Sequence, residues 1–337
     1  MKSVGRWGKV CFLAGGTGLL GFLVWRVGIE EVLLHVGRVG WGIVPVLCVS
    51  AIWKGCNTAG LMLAFPPDVK RPGFWRLYGI NLAGDVVNNA LPTANIGGEL
   101  AKPFLMRAWT PVSESLPAVV ANKTMEIVAG LVFAAVGAVV ALLSLPLDNH
   151  IRLGLVVAIL VGGIGIALLC LVQCFQPLSR LADILSRAKI HKWQQAIRQQ
   201  AVSKIDEGLR TFYTQRRMRF FGCLGLRLFS FGLGMMETFL VLRFLGLDIS
   251  LTVAFLLMAL PMIIDTAFFF VPANVGTFEA GHTYVSMLLA FDPVVGLSLA
   301  LVKRFRRLFW MGSGFVLLYA QLPVLERQKR DEVQTVV

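Results

Sequence analysis

Charged side chains are scarce in this chain. They make up 15% of its 337 residues, whereas a soluble domain carries about 25%. With 56% hydrophobic residues beside them, this shortage excludes a water-soluble globular protein. Histidine is scarcer still: His35, His150, His191 and His282 are the whole set, scattered without a His-x-x-x-His pair. Lacking such a pair, an acidic metal cluster, or a nucleophile beside its base, the chain is expected to hold no metal or cofactor and to be no enzyme, so no catalytic residue is assigned. Six cysteines (Cys11, Cys48, Cys56, Cys170, Cys174, Cys223) lie in or beside apolar windows and form no Cys-x-x-Cys pair. They read as small hydrophobes, which excludes a disulfide framework and a structural zinc site. No Gly-x-x-x-x-Gly-Lys-Ser/Thr run exists, so nucleotide is not the driving force.

What the chain has instead is long apolar windows, at about 10–27, 41–65, 117–145, 151–175, 218–245 and 297–322. Each reaches the roughly 20 residues that a helix needs to cross a bilayer. Lys2, Arg6 and Lys9 precede the first window. Trp25 and Arg26 close it without a small-x-small cleavage motif, so it is read as a retained span rather than a signal peptide.

The formal net charge of +13 could point to nucleic acid, but the basic residues sit beside apolar windows, where they orient spans in the membrane. No nucleic-acid partner is expected. The densest basic cluster runs from Arg180 to Arg219 and includes Arg187, Lys189, Lys192, Arg198, Lys204, Arg210, Arg216 and Arg217. Apolar residues recur through 176–217 at helical spacing (Leu178, Leu181, Ile184, Leu185, Ile190, Trp193, Ile197), which marks a cytoplasmic amphipathic helical segment. A solvated linker is the alternative for its second half. Counting spans from a cytoplasmic N-terminus returns Lys70, Arg71 and Arg76, the 180–219 cluster and the Arg327, Lys329, Arg330 tail to the cytoplasm. Both termini are therefore expected inside.

Two regions break the pattern of simple spans. Leu77–Leu91 and Glu99–Trp109 flank the punctuation Pro92–Gly98, and Leu251–Val271 and Phe278–Leu289 flank Pro272–Thr277. Pro and Gly interrupt helices, and irregular backbone at membrane depth survives only where protein or a polar cavity satisfies it. The fold expected is an all-α polytopic membrane protein of about six full spans plus two re-entrant or broken helical hairpins. It forms a single integral membrane domain over 1–337, with 77–126 as a first motif half and 251–310 as a second. Because topology brings the hairpins in from opposite faces, an inverted repeat is indicated.

The two regions also match residue by residue. Asp85, Pro92 and Glu99 recur as Asp265, Pro272 and Glu279, each displaced by 180 positions, and Lys123 recurs as Lys303. Ala94-Asn95-Ile96-Gly97 is echoed by Ala273-Asn274-Val275-Gly276. Each motif offers a glycine for close backbone approach, an asparagine that donates and accepts, and a carboxylate at a half-helix N-terminus. Backbone N–H groups freed at such a break can hold a phosphate. Candidate lipid-binding residues are therefore Asp85, Asn88, Pro92, Asn95, Gly97, Gly98, Glu99 and Lys102, with Asn122, Lys123 and Glu126 at the start of a span. The second half contributes Asp265, Pro272, Asn274, Gly276, Glu279, Lys303 and Arg304. Unpaired charge at the bilayer centre costs roughly 2.5–3.5 kcal/mol per residue, so Glu99 and Glu279 are expected to pair with Lys123, Lys303 or Arg304. Arg107, Arg306 and Glu237 form a second tier. Glu237 either carries a proton or pairs with an arginine such as Arg227 or Arg243. Lys54 and Asn57, one turn apart, are weaker signals. The alternative is that the charges only fix helix register and that the arginines at 304–307 snorkel to an interface.

The run Asn88-Asn89-Ala90-Leu91-Pro92-Thr93-Ala94-Asn95-Ile96-Gly97-Gly98-Glu99-Leu100, then Phe270-Val271-Pro272-Ala273-Asn274-Val275-Gly276-Thr277-Phe278-Glu279 and Leu301-Val302-Lys303-Arg304-Phe305-Arg306, resembles the lysylphosphatidylglycerol synthase transmembrane region, or flippase-like, family. The Gly-Gly-Glu form is most similar to its stand-alone branch associated with hopanoid biosynthesis, although Lys102 stands where that branch implies arginine. The resemblance implies translocation of an anionic phospholipid or an isoprenoid or hopanoid-type lipid across a bacterial inner (plasma) membrane. It also implies absence of the aminoacyl-transferring domain of the fused relatives. Expected partners are the lipid and the bilayer, with lipid-biosynthesis enzymes and a second copy of the chain as further candidates. Two other classes stay open: a non-transporting scaffold that recruits lipid-modifying enzymes, and a membrane enzyme acting on lipid headgroups.

Overall fold

The computed structural model describes residues 29–90, 97–174, 195–268, 274 and 276–335, and the regular structure among them is all helical. The expected span at 10–27, the start of the basic segment, and Pro92, Asn95 and Pro272 lie outside the described residues. Helix α1 (Ile29–Val39) leads through a 3-10 turn at Gly40–Gly42 into α2 (Ile43–Ala64). There follow α3 (Phe74–Ala90), α4 (Gly97–Met106), α5 (Val112–Ser144), α6 (Asn149–Cys174) and α7 (Gln195–Thr214). The chain continues through α8 (Arg217–Phe244), α9 (Leu251–Ala267), α10 (Thr277–Leu288) and α11 (Pro293–Thr335).

Four stretches are long and apolar enough to cross a membrane: Leu33–Ala64, Val112–Ser144, Asn149–Leu169 and Arg217–Phe244. They coincide with four of the windows read above. The 297–322 window lies inside α11, an unbroken helix of 43 residues. Lys303, Arg304, Arg306 and Arg307 lower its apolarity, so the window expected as a span at 297–322 is not among the stretches apolar enough to cross a membrane. The helices of the first interrupted region are short: α3 has 17 residues and α4 has 10. At 1.5 Å per residue they reach about 26 and 15 Å, less than a hydrocarbon core of about 30 Å. Helices begin where side chains can serve the orphan N–H groups. Ser250 Oγ accepts from the Val253 N–H at 3.3 Å ahead of α9, and Asp292 Oδ1 accepts from the Val294 N–H at 2.8 Å ahead of α11.

α2 and α8 form the central pair. Cys223 Sγ donates to the Gly60 carbonyl at 3.1 Å and Ser230 Oγ to the Trp53 carbonyl at 3.3 Å, so the two helices run antiparallel. Along them and α5 the apolar residues gather into two clusters. One holds Val46, Ala141, Val241 and Leu242, and the other Leu61, Ala118, Met125 and Cys223. Each long helix therefore places one end in each cluster, and a polar layer remains between: Lys54 and Asn57 on α2, Glu126 on α5, Arg227 and Glu237 on α8. The first hairpin enters from one end, since Leu77, Ile80 and Met106 join the second cluster. The second hairpin enters from the other, since Ala254, Leu257, Leu260 and Val285 join the first.

α7 resolves the alternative left open for the second half of the basic segment. It is no solvated linker, because Ile205, Leu209 and Phe212 are buried in the second cluster against α5. That end of the bundle also carries Lys70, Arg71, Arg76, Arg107, Arg216, Arg217 and Arg219, while the loops at the opposite end carry Asp148, Asp248 and Asp292. α6 is peripheral and exposes Leu153, Val157, Leu160, Val161 and Ile164, a surface suited to lipid tails.

Candidate functional site

In the first half the site begins with a close backbone approach. A Cβ at Gly98 would overlap the Gly84 carbonyl oxygen and the Asn88 amide, so only glycine lets α4 lie this tightly on α3. Asn88 then bridges the break: its Oδ1 accepts the Gly98 N–H at 2.7 Å and its Nδ2 donates to Glu99 at 3.3 Å. Lys102 Nζ donates to both Glu99 oxygens at 2.8 and 2.9 Å, and all three side chains are buried. Gly97 opens α4. On the neighbouring helices, Lys54 Nζ meets Asp85 at 2.7 Å, and Glu126 receives Lys123 at 2.6 Å and Arg227 at 3.2 Å.

Of these groups Lys54, Asp85, Lys102, Glu126 and Arg227 face a polar cavity of about 30 Å³, room for about two waters. α2 lines it with Lys54, Asn57 and Thr58, α3 with Tyr78, Asn81 and Asp85, α4 with Lys102, α5 with Glu126 and α8 with Arg227. Three cations against two carboxylates leave one positive charge in excess. Asn57 Oδ1, Asn81 Oδ1 and Arg227 Nε are buried there without a hydrogen-bond partner among the described residues, as is Asn122 Oδ1. A buried polar atom without a partner costs about 1–3 kcal/mol, so this cluster is built to meet a guest or solvent.

In the second half, Arg304 reaches from α11 to Glu279 at 2.5 and 3.2 Å and to the Asn274 carbonyl at 2.6 Å. The Gly276 N–H donates to Glu279 at 2.9 Å, so one carboxylate both caps α10 and holds the arginine. Asp265 Oδ1 is buried without a hydrogen-bond partner among the described residues. Lys303 Nζ lies 3.4 Å from His282 Nε2. One element start repeats the motif displacement of 180, α4 beginning at Gly97 and α10 at Thr277, and the next comes within one residue of it, α5 beginning at Val112 and α11 at Pro293.

Two pairings differ from those expected, and Glu237 takes an arginine other than the two named as examples. Glu99 takes Lys102 and not Lys123, because residues three apart share a helix face, and Lys123 is held by Glu126 for the same reason. Glu237 takes Arg306, with Trp53 Nε1 donating to it at 3.4 Å. Arg227 lies ten residues along the same helix as Glu237, about 15 Å away, and Arg243 pairs with Asp248. Arg306 and Arg307 also do not snorkel: Arg306 packs over the Trp53 ring and Arg307 over Phe278. Arg107 is exposed in the turn after α4, away from the cavity. Sequence reasoning passed over Asn81, Tyr78 and His282 and gave Arg227 no place in the site. Asn81 lies one helical turn before Asp85 and was visible as its neighbour on one face; the others depend on interhelical packing.

An all-α bundle with its buried charges gathered between two apolar clusters defines a polytopic membrane protein with an intramembrane polar site. The family described as the lysylphosphatidylglycerol synthase TM region matches residues 9–314, and the chain belongs to that family. This ties the protein to lipid handling at the membrane. No curated protein and no solved structure matches it. Among the described residues no group of three His, Cys, Asp or Glu side chains is placed to hold a metal ion.

Proposed function

We propose that the protein is a lipid translocase of the bacterial inner membrane and not an enzyme. In this reading the cavity, which has room for about two waters in the closed arrangement described, widens to receive the anionic headgroup of a phospholipid or an isoprenoid or hopanoid-type lipid while the tails stay in the bilayer. The observation that carries it is the cavity itself, where Lys54, Lys102 and Arg227 converge with unpartnered amide oxygens between two apolar clusters. Ionisable side chains at that depth are costly and their retention marks a functional path. Lys54 and Lys102 supply the charge that attracts a phosphate, and Asp85 and Glu99 keep both lysines paired until it arrives. The two hairpins form an inverted repeat, and rocking one half against the other would expose the cavity to each side in turn. The basic end, with α7, faces the cytoplasm by the positive-inside rule.

The test is flipping of fluorescent phosphatidylglycerol in vesicles of phosphatidylethanolamine and phosphatidylglycerol. Wild-type protein is expected to speed flipping over protein-free vesicles. Lys54→Gln combined with Lys102→Gln is expected to slow it at least about tenfold, because a charge-assisted hydrogen bond is worth about 1.5–3 kcal/mol and 1.4 kcal/mol is a factor of ten. Arg243→Gln, at the exposed Asp248 pair, is expected to flip lipid at the wild-type rate. A wild-type rate no faster than empty vesicles would sink the reading. A scaffold would instead tolerate the lysine changes and fail on loss of the basic residues of α7.

A further inference from the structure

The two halves of the repeat differ in one chemical respect. Displaced by 180 positions, Lys102 corresponds to His282 and Lys123 to Lys303. In the first half each lysine is held by a carboxylate three residues away, Glu99 and Glu126. In the second half the counterparts face each other. His282 and Lys303 are 2% and 8% exposed, and neither has a carboxylate within 4.0 Å among the described residues.

Hydrogen bonding sets the tautomer of His282. Its Nδ1 lies 2.9 Å from the Phe278 carbonyl oxygen, which can only accept, so Nδ1 carries the hydrogen. In the neutral ring Nε2 is then a bare lone pair, and it points at the Lys303 ammonium 3.4 Å away. Gly296 makes the approach possible. A Cβ there would overlap the His282 carbonyl, and Lys303 lies two turns further on the same face of α11. The charged groups around the pair are accounted for. Glu237 on α8 is engaged by Arg306, Glu279 on α10 by Arg304, and Asp85 on α3 by Lys54; His35 on α1 bonds Ser298, and Arg307 packs on Phe278. Glu237 and Asp265, the latter on α9 with its Oδ1 lacking a hydrogen-bond partner among the described residues, both act electrostatically on Lys303.

We propose that His282 and Lys303 form a proton-binding site and that proton passage through it drives lipid movement; the second clause rests on the translocase reading above. One proton occupies the pair. The Nζ–H bond of Lys303 breaks as an Nε2–H bond forms on His282, the pair keeping one positive charge, and release of that proton leaves both groups neutral. Electrostatic repulsion between two cations at this separation opposes a second proton, so the pair titrates as a unit.

Two measurements on the full chain separate this proposal from the translocase reading. The first needs no transport: nitrogen NMR of histidine-labelled protein in nanodiscs, with the His282 signal assigned through His282→Gln. The expected result is the Nδ1–H tautomer, with an Nε2 signal that shifts in Lys303→Met. The Nε2–H tautomer, or a signal indifferent to Lys303→Met, overturns the site even if lipid flipping is robust. The second is flipping of fluorescent phosphatidylglycerol in the vesicles described above under a pH difference of one unit. Wild-type rates with opposite gradient directions are expected to differ several-fold, up to the tenfold ratio in proton activity, and His282→Gln is expected to show no dependence on direction. Wild-type flipping that ignores the gradient, or gradient dependence that survives in His282→Gln, overturns the coupling. If no flipping occurs at all, the translocase reading and the coupling fall together, while the NMR result still decides the proton site.

Discussion

Gly98→Val is expected to unfold the first hairpin and lower the thermal stability of the whole protein by about 3–6 °C. The new side chain would occupy the space of the Gly84 carbonyl and the Asn88 amide, and neither can yield, since one is backbone and the other is held by the Gly98 N–H and Glu99. Overpacking costs about 1–3 kcal/mol, and loss of the Asn88 bridge adds to it. With an unfolding entropy of about 2.1 cal/mol/K per residue over 337 residues, each kcal/mol shifts the midpoint by roughly 1.4 °C, and the total reaches the quoted range. Gly163→Ala is the control: nothing lies within 4 Å of a Cβ at that position on α6, so it is expected to be neutral or slightly stabilising, as alanine favours helix. Differential scanning fluorimetry in detergent compares the two. Equal midpoints for both variants would mean that the α3–α4 approach is looser than described here.

The second large effect concerns the buried pair of Glu237 and Arg306. Glu237 is 1% exposed and Arg306 16% exposed at the side chain, with the arginine further stacked on Trp53. Glu237→Leu leaves a buried cation without its partner, a change expected to destabilise by about 3–5 kcal/mol. Arg306→Leu strands the carboxylate at a similar cost. Joined in one protein, the two substitutions remove both charges, and the double variant is expected to recover most of the loss, to within about 1–2 kcal/mol of wild type. A thermal double-mutant cycle reads this coupling directly. Additive losses would show that the two side chains do not depend on each other.

Helices, spans and the site's first ingredients were legible because hydropathy and punctuation are local properties. Windows of apolar residues located α2, α5, α6 and α8, and the Pro-Asn-Gly interruptions located the breaks between α3 and α4 and between α9 and α10. The repeat at a displacement of 180 placed Glu99 beside Glu279 and Lys123 beside Lys303 in register, and the starts of α4 and α10 follow the same displacement. Choice of partner was only partly legible. Spacing of three along one helix offers Lys102 to Glu99 and Lys123 to Glu126, but only packing shows that Lys54 meets Asp85, Arg227 meets Glu126 and Arg306 meets Glu237.

By itself, then, the sequence determined the solvent, the helical class, the interruptions and the set of charges that must be buried together, since each follows from composition and spacing along one chain. Tertiary structure decided which charges meet, that Lys54, Asn81 and Arg227 close a cavity, and that His282 faces Lys303. The physical reason is that ion pairs between helices act over a few ångströms across residues far apart in the chain. They are set by crossing positions such as Gly98 on Gly84 and Gly296 on His282, which no periodicity encodes.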